Sequence, residues 1–327
     1  MIATLRRGRV VSSLIGTAGD QNGISQGRQT TAACARAYSL YFLLGLAAGC
    51  GSLSSMEPPM RVSEVTLFGD MDCYKIETPT ATYLYGKRGA GFASILDPSG
   101  HDWISYRHGG KALGEYRGLP KCGQPVKYFH CGYGYGQYTN ANWFTSTILE
   151  RSPRHIRIRS ETQGGDSACV WDFYPNSATM NLERIGNPTY WFLYEGTPGG
   201  GLDPADDFVL RPDGIRTALT EPWTGSVSWV CFGAMESRHG LLLINQQNPE
   251  PGQPDSYVSW PYRPEPDGSL NQMTVFGFGR PGWQDPKQHT PPLNRLPARF
   301  TIAVTPKTDY EAVRRLAESL RSLSSSR

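Results

Sequence analysis

The stretch Gly91-Phe92-Ala93-Ser94-Ile95-Leu96-Asp97-Pro98-Ser99-Gly100-His101-Asp102-Trp103-Ile104 decides the fold. Apolar residues fill its first part, residues 91–96, and a second apolar run follows at residues 102–106. Between them, Asp97-Pro98-Ser99-Gly100 supplies a proline that presets one turn dihedral and a glycine that tolerates another. The segment therefore predicts a β-hairpin, two antiparallel strands around a tight turn.

Strand-like runs recur on both sides of this hairpin. Alternating or aromatic runs return at short intervals from residue 62 to residue 304, separated by glycine and proline. The 327 residues include 37 glycines, 25 prolines and 17 tyrosines, a composition that favours turns and strands. Because the rhythm is never broken, a single domain is expected.

One helix is predicted, at residues 308–323. Thr308-Asp309-Tyr310-Glu311 has the form of a capping box, and apolar residues recur behind it at helical spacing. The expected fold is therefore all-β: a single large antiparallel β-supersandwich over residues 62–327, with one C-terminal helix.

Residues 1–49 look like an export signal. Their apolar run at 37–48 is shorter than the roughly 20 residues of a membrane span, follows basic residues and ends in small ones. Leu46-Ala47-Ala48-Gly49-Cys50 resembles a bacterial lipobox, which predicts lipidation of Cys50. With residues 50–61 as a flexible tether, we expect an exported protein held to the periplasmic or outer-membrane face of the cell envelope by its lipid anchor.

Charge and cysteine content exclude other classes. The net charge is +3, but five arginines and one acid precede Cys50, so the body is close to neutral. Nucleic-acid binding needs a clustered basic surface and is not expected. No C-x-x-C pair occurs, so a cysteine zinc site is not expected either, and no cofactor or metal is called for. Cys122 and Cys131 could form one disulfide, with buried free thiols as the alternative.

Polar and aromatic residues concentrate in residues 106–143. Histidines, arginines, lysines and tyrosines stand there among glycines, as in Gly132-Tyr133-Gly134-Tyr135-Gly136. Glycine costs about 1 kcal/mol against alanine inside a helix, and the run is too polar for a plain core strand. Loops of this kind on a rigid scaffold carry binding and catalysis, so we expect the functional site here.

Residues 91–104 resemble the opening hairpin of galactose-mutarotase-like proteins. That fold is a large antiparallel β-supersandwich shared by sugar epimerases and by domains of many polysaccharide lyases and glycosidases. Arg117-Gly118-Leu119-Pro120-Lys121-Cys122, followed by His130 and Gly132, is similar to a residue order in hexose-phosphate epimerases of the group. The family's conserved histidine and late catalytic glutamate do not align by motif here, so the resemblance implies the fold more than the chemistry.

Three types of side chain suit carbohydrate chemistry. Histidine exchanges protons near neutral pH, arginine and lysine neutralise a carboxylate, and aromatic faces pack on sugar rings. The candidate catalytic residues are His130, Tyr133 and Glu195. The candidate substrate-binding residues are Arg107, His108, Arg117, Lys127, Tyr135 and Trp143.

Structural roles are the alternatives. Either histidine, His130 or His108, can be a hydrogen-bonded structural residue, and the strand around Trp191 is best explained as core. Glu195 and Asp172 would form a glycosidase pair if they stood about 5–9.5 Å apart. We prefer a salt bridge between Asp172 and an arginine on a neighbouring strand, because an acid in an aromatic strand needs a partner.

The first functional expectation is a polysaccharide lyase that acts on a uronate-containing glycan by β-elimination. His130 would be the base or acid with Tyr133 as its partner, while Arg107 and Arg117 hold the carboxylate. The alternatives are a sugar epimerase or mutarotase-like enzyme, and a non-catalytic glycan-binding lipoprotein. The glycan and the oligomeric state are left open.

Overall fold

The computed structural model describes residues 58–106, 117–122, 129–131, 143–186, 189–203, 205–235, 237–247, 255–260, 273–280, 293–306 and 308–325. The predicted signal segment 1–49, Cys50 and most of the tether lie outside these residues. Within them, no helix is long and apolar enough to cross a membrane.

Two antiparallel sheets make up the described chain. The first contains, in spatial order, β1 (Arg61–Leu67), β2 (Met71–Glu77), β3 (Thr82–Gly86), β4 (Gly91–Leu96), β5 (Gly118–Cys122), β10 (Phe192–Gly196), β17 (Met273–Phe278), β16 (Asp255–Trp260) and β13 (Trp223–Gly225). The second contains β12 (Arg216–Ala218), β11 (Phe208–Leu210), β14 (Trp229–Gly233), β15 (Gly240–Asn245), β18 (Ala298–Thr305), β9 (Ser177–Arg184), β8 (Ala168–Tyr174), β7 (Ile156–Thr162) and β6 (Phe144–Arg151). The predicted all-β class with one C-terminal helix is confirmed.

Side-chain alternation packs the sheets face to face. Phe92 of the first sheet lies 4.7 Å from the Trp171 ring and 6.0 Å from the Phe173 ring of the second, measured between centroids. All three side chains are fully buried. Since successive residues of a strand point to opposite faces, the residues next to each of these in its strand point outward, away from the shared core.

The predicted hairpin is half right. Strand β4 and the turn form as expected, with the Gly100 amide donating to the Asp97 carbonyl at 2.9 Å. The second strand, predicted at residues 102–106, is wrong: only one bridge forms, between Leu96 and Asp102. The Asp102 carboxylate accepts the amide of Ile95 at 3.2 Å, so a side chain takes the backbone donor that the ladder between these two strands would have used.

Residues 106–143 also differ from the predicted loop. Their segment Gly118–Cys122 forms β5, which joins β4 to β10 in the middle of the first sheet. Of the two alternatives for Cys122 and Cys131, the structure shows buried free thiols. Within the described residues of this stretch, Gly118–Cys122 is therefore part of the scaffold.

The helix α1 spans Tyr310–Ser325, close to the predicted 308–323. Its cap is Asp309, whose carboxylate accepts the Ala312 amide at 3.0 Å, and not Thr308 as the capping box suggested. Val313 and Ala317 are fully buried on the outer face of the second sheet. The helix thus covers that face, whereas the outer face of the first sheet has no helix over it in the described chain.

We expect Phe92→Ala to lower the free energy of unfolding by about 3–5 kcal/mol, because it empties the contact between the two sheets. Denaturant titration measures the change. The control is Leu149→Ala on edge strand β6, where the side chain is 54% exposed and the change should stay within about 0.5 kcal/mol. Equal losses at the two sites would contradict the packing described here.

Candidate functional site

A buried carboxylate marks the outer face of the first sheet. In β10, Phe192 and Tyr194 point into the core, so Leu193 and Glu195 point to the opposite face. Glu195 is nevertheless only 4% exposed. Burying an ionised group is costly unless opposite charge or hydrogen bonds surround it, so its neighbours decide what it can do.

Two cations flank Glu195 from the neighbouring strands. The Lys121 Nζ of β5 lies 3.8 Å from Glu195 Oε1. On the β17 side, Arg280 is 4% exposed; burial lowers the pKa of its guanidinium, and the negative charge of Glu195 opposes that shift. Opposite charges on both sides favour the ionised carboxylate.

Local backbone geometry holds Arg280 in this place. Its side chain lies over Gly277, where an added Cβ would stand 2.7 Å from Arg280 Cβ, and its Nη1 donates to Ser256 Oγ at 3.2 Å. The preceding residue, Gly279, has φ +68 and donates its amide to Asp255 Oδ1 at 2.8 Å. Burial raises the pKa of the Asp255 carboxyl to about 7.

His130 lies on the same face. Glu195 pairs with Gly118 across the ladder to β5, so a side chain at residue 118 would stand beside Glu195. The Cys131 sulfur and the imidazole of His130, a residue that is 3% exposed, fill that space: an added Cβ on Gly118 would lie 2.9 Å from Cys131 Sγ and 3.0 Å from His130 Nε2. The His130 amide is fixed by donation to the Gly89 carbonyl at 2.8 Å. His130 and Glu195 therefore occupy adjoining positions.

Arg117 begins the same strand. It is 3% exposed, and its Nη1 donates to the Ser105 carbonyl at 2.9 Å. Its own carbonyl accepts the Cys131 thiol at 3.3 Å. The structure therefore places Arg117 next to Gly118 in the chain, and the contact of its guanidinium ties residues 105 and 117 together.

Trp143 lies elsewhere, at the start of β6 on the edge of the second sheet. Its ring is 36% exposed, and the Arg88 guanidinium lies 4.7 Å from the ring centroid. The remaining predicted site residues, Tyr133, Arg107, His108, Lys127 and Tyr135, lie outside the described residues.

The predicted alternative for Asp172 is confirmed. Its carboxylate contacts His155 Nε2 at 2.8 Å, Asn181 Nδ2 at 2.8 Å and Arg157 Nε at 3.5 Å. Asp172 stands on the outer face of the second sheet, because its neighbours in β8 fill the core. The glycosidase pair is wrong, since the whole sandwich core separates Asp172 from Glu195. The strand around Trp191 is core, as expected: Trp191 is 6% exposed.

Sequence reasoning missed Lys121 and Arg280. Lys121 is separated from Glu195 by 74 positions and Arg280 by 85, and only strand pairing brings them together. The one available signal was the Phe278-Gly279-Arg280 ending of a strand, where glycine permits the turn that folds an arginine back over the sheet.

Comparison with known proteins gives a limited result. The sequence matches no protein-family model and no curated protein. Among solved structures, HI1317 gives a TM-score of 0.48 at 10% identity, over 75% of this chain and 100% of that one. A "putative mutarotase (YeaD)" from Salmonella typhimurium gives 0.45 at 11%, over 75% and 93%. Slr1438 from Synechocystis sp. PCC 6803 gives 0.30 at 11%, over 76% and 98%. At these TM-scores the likeness says nothing about the reaction, which has to be inferred from the side chains.

We expect Glu195→Gln to lower the free energy of unfolding by about 3 kcal/mol, because Lys121 and Arg280 would lose the charge between them. Denaturant titration again provides the measurement. The matched control is Glu77→Gln, which breaks the Lys75–Glu77 ion pair of 2.8 Å between side chains that are 36% and 42% exposed. That change should cost less than about 1 kcal/mol. A Glu195→Gln protein as stable as the control would show that the charges do not interact.

Proposed function

We propose that this chain is a carbohydrate-active enzyme of the epimerase or mutarotase type. It would interconvert the two anomers of a sugar by proton transfer at the anomeric hydroxyl and the ring oxygen. The observation that carries the proposal is the placement of His130 beside Glu195 on one face of the first sheet. An acid and a base held in adjoining positions are what reversible ring opening needs.

The chemistry follows from the charges. Glu195, which stands between the positive charges of Lys121 and Arg280, accepts the proton of the anomeric hydroxyl, while His130 donates a proton to the ring oxygen. The bond between the anomeric carbon and the ring oxygen breaks, and the open-chain aldehyde forms. Rotation about the adjacent carbon–carbon bond and the reverse proton transfers then close the ring as the other anomer.

A second candidate is the lyase reaction on a uronate glycan. Lys121 and Arg280 bring two positive charges to the carboxylate of Glu195, and such cations would also suit an anionic sugar. The lyase reaction requires a base for the proton next to the substrate carboxylate, and His130 would supply it. The two candidates differ in product: one gives an anomer, the other an unsaturated uronate.

The test is anomeric exchange on freshly dissolved hexoses, hexuronic acids and hexose phosphates, followed by polarimetry and by exchange NMR. Glu195→Gln and His130→Gln should each slow the catalysed exchange by about 10²–10⁴-fold. His155→Gln, on the second sheet, is the control and should keep the activity. Exchange no faster than in buffer, together with ultraviolet absorbance of an unsaturated product from uronate polymers, would replace this proposal with the lyase reaction.

We also propose export and lipid attachment through Cys50. The support is the sequence alone, an apolar run ended by small residues and a cysteine. In a bacterial host, the wild-type chain should incorporate radiolabelled fatty acid and Cys50→Ala should not, whereas Cys34→Ala should keep the label. Label in the Cys50→Ala protein would contradict the lipobox.

A further inference from the structure

A row of aromatic rings crosses the outer face of the first sheet. It begins at Phe68, at the tip of the hairpin between β1 and β2, and continues to Tyr106 with ring centroids 5.7 Å apart. Tyr106 lies 6.5 Å from the His130 ring, also between centroids. The row therefore leads from the edge of the sheet to the position beside Glu195.

The row rests on a small apolar cluster of its own. Met71, Cys73, Ala93 and Cys131 are buried there, separate from the core between the sheets, and Tyr106 packs against them. The Tyr106 amide donates to the Ala93 carbonyl at 3.3 Å. Tyr106, the middle ring, is thus joined to β4.

Phe68 has two features that lower stability, an exposed apolar ring and a left-handed backbone. Its ring is 53% exposed, and its φ of +53 lies in the left-handed region that residues other than glycine rarely adopt. Gly69 follows with φ +84. A glycine or asparagine at residue 68 would relieve the backbone and remove apolar surface from water.

We propose that Phe68 and Tyr106 form a second sugar-binding subsite, so that the ligand is an oligosaccharide whose reducing-end ring lies at Glu195 and His130. The inference rests on the proposed function. Its physical basis is that an aromatic side chain offers an apolar surface to the apolar face of a sugar, and that the rings run from Phe68 through Tyr106 to His130 at centroid distances of 5.7 and 6.5 Å. A single monosaccharide would leave Phe68 without a role.

The experiment measures how affinity depends on glycan length. Gluco-, galacto- and galacturono-oligosaccharides of one, two and three rings are titrated calorimetrically into the full chain and into three variants. Phe68→Trp keeps an aromatic ring, Phe68→Leu keeps apolar surface without a ring, and Phe68→Gly relieves the backbone. Affinity of the wild type should rise by about tenfold from one ring to three.

In Phe68→Leu and Phe68→Gly that gain should fall below about threefold, and in Phe68→Trp it should persist. The melting temperature of Phe68→Gly should be no lower than that of the wild type, which separates lost binding from lost folding. Leu149→Ala, on edge strand β6 of the second sheet, is the control and should change neither the gain in affinity with length nor the anomeric exchange on monosaccharides.

Failures of the two proposals are distinguishable. A wild type with no gain in affinity with length, or a gain that survives in Phe68→Leu, overturns the subsite while exchange on monosaccharides still supports the enzyme. A Phe68-dependent gain without any exchange supports the subsite and overturns the reaction. Absence of glycan binding at every length overturns both. A dimer in light scattering that Phe68→Leu dissolves, without any effect on glycans, overturns the subsite in favour of a self-association surface.

Discussion

The pairing of β10 with β5 on one side and with β17 on the other is the constraint on which the site depends. It sets Glu195 opposite Gly118 and Val275, and it carries Lys121 and Arg280 to the two flanks of the carboxylate. A shift of one residue in either register would turn Glu195 into the aromatic core, where nothing could offset its charge. Register therefore determines both the stability of this strand and its chemistry.

The glycines of the first sheet are as important for the site as its charged residues, because they leave room for neighbouring groups. At Gly118 the space beside Glu195 holds the Cys131 sulfur and the His130 imidazole, and at Gly277, which pairs with Leu193, the space holds the Leu193 side chain and the stem of Arg280. Any larger residue at either position would push a functional group off the sheet. Gly89 makes a third such position, because the His130 carbonyl lies where its side chain would be. At these glycines, groups from other parts of the chain thus occupy the space that an outward-facing side chain would take.

Local signals in the sequence predicted much of the fold. Alternation, turn residues and helical spacing are short-range patterns, and they correctly indicated β4, its turn and α1. They failed where a side chain competes with the ladder, as Asp102 does, and where a glycine-rich polar run still supplies a strand, as Gly118–Cys122 does. The cations of the site were beyond reach because they meet Glu195 only through strand order. His130 and Glu195 could be proposed from residue type, yet only the register made them neighbours.

The most direct measurement is a crystal structure of the protein soaked with a saturating monosaccharide that it binds. The account predicts a sugar on the outer face of β5, β10 and β17, with its anomeric hydroxyl within hydrogen-bond distance of Glu195 and its ring oxygen facing His130. A sugar bound anywhere else on the molecule, with Glu195 and His130 closed off from it, would contradict the account.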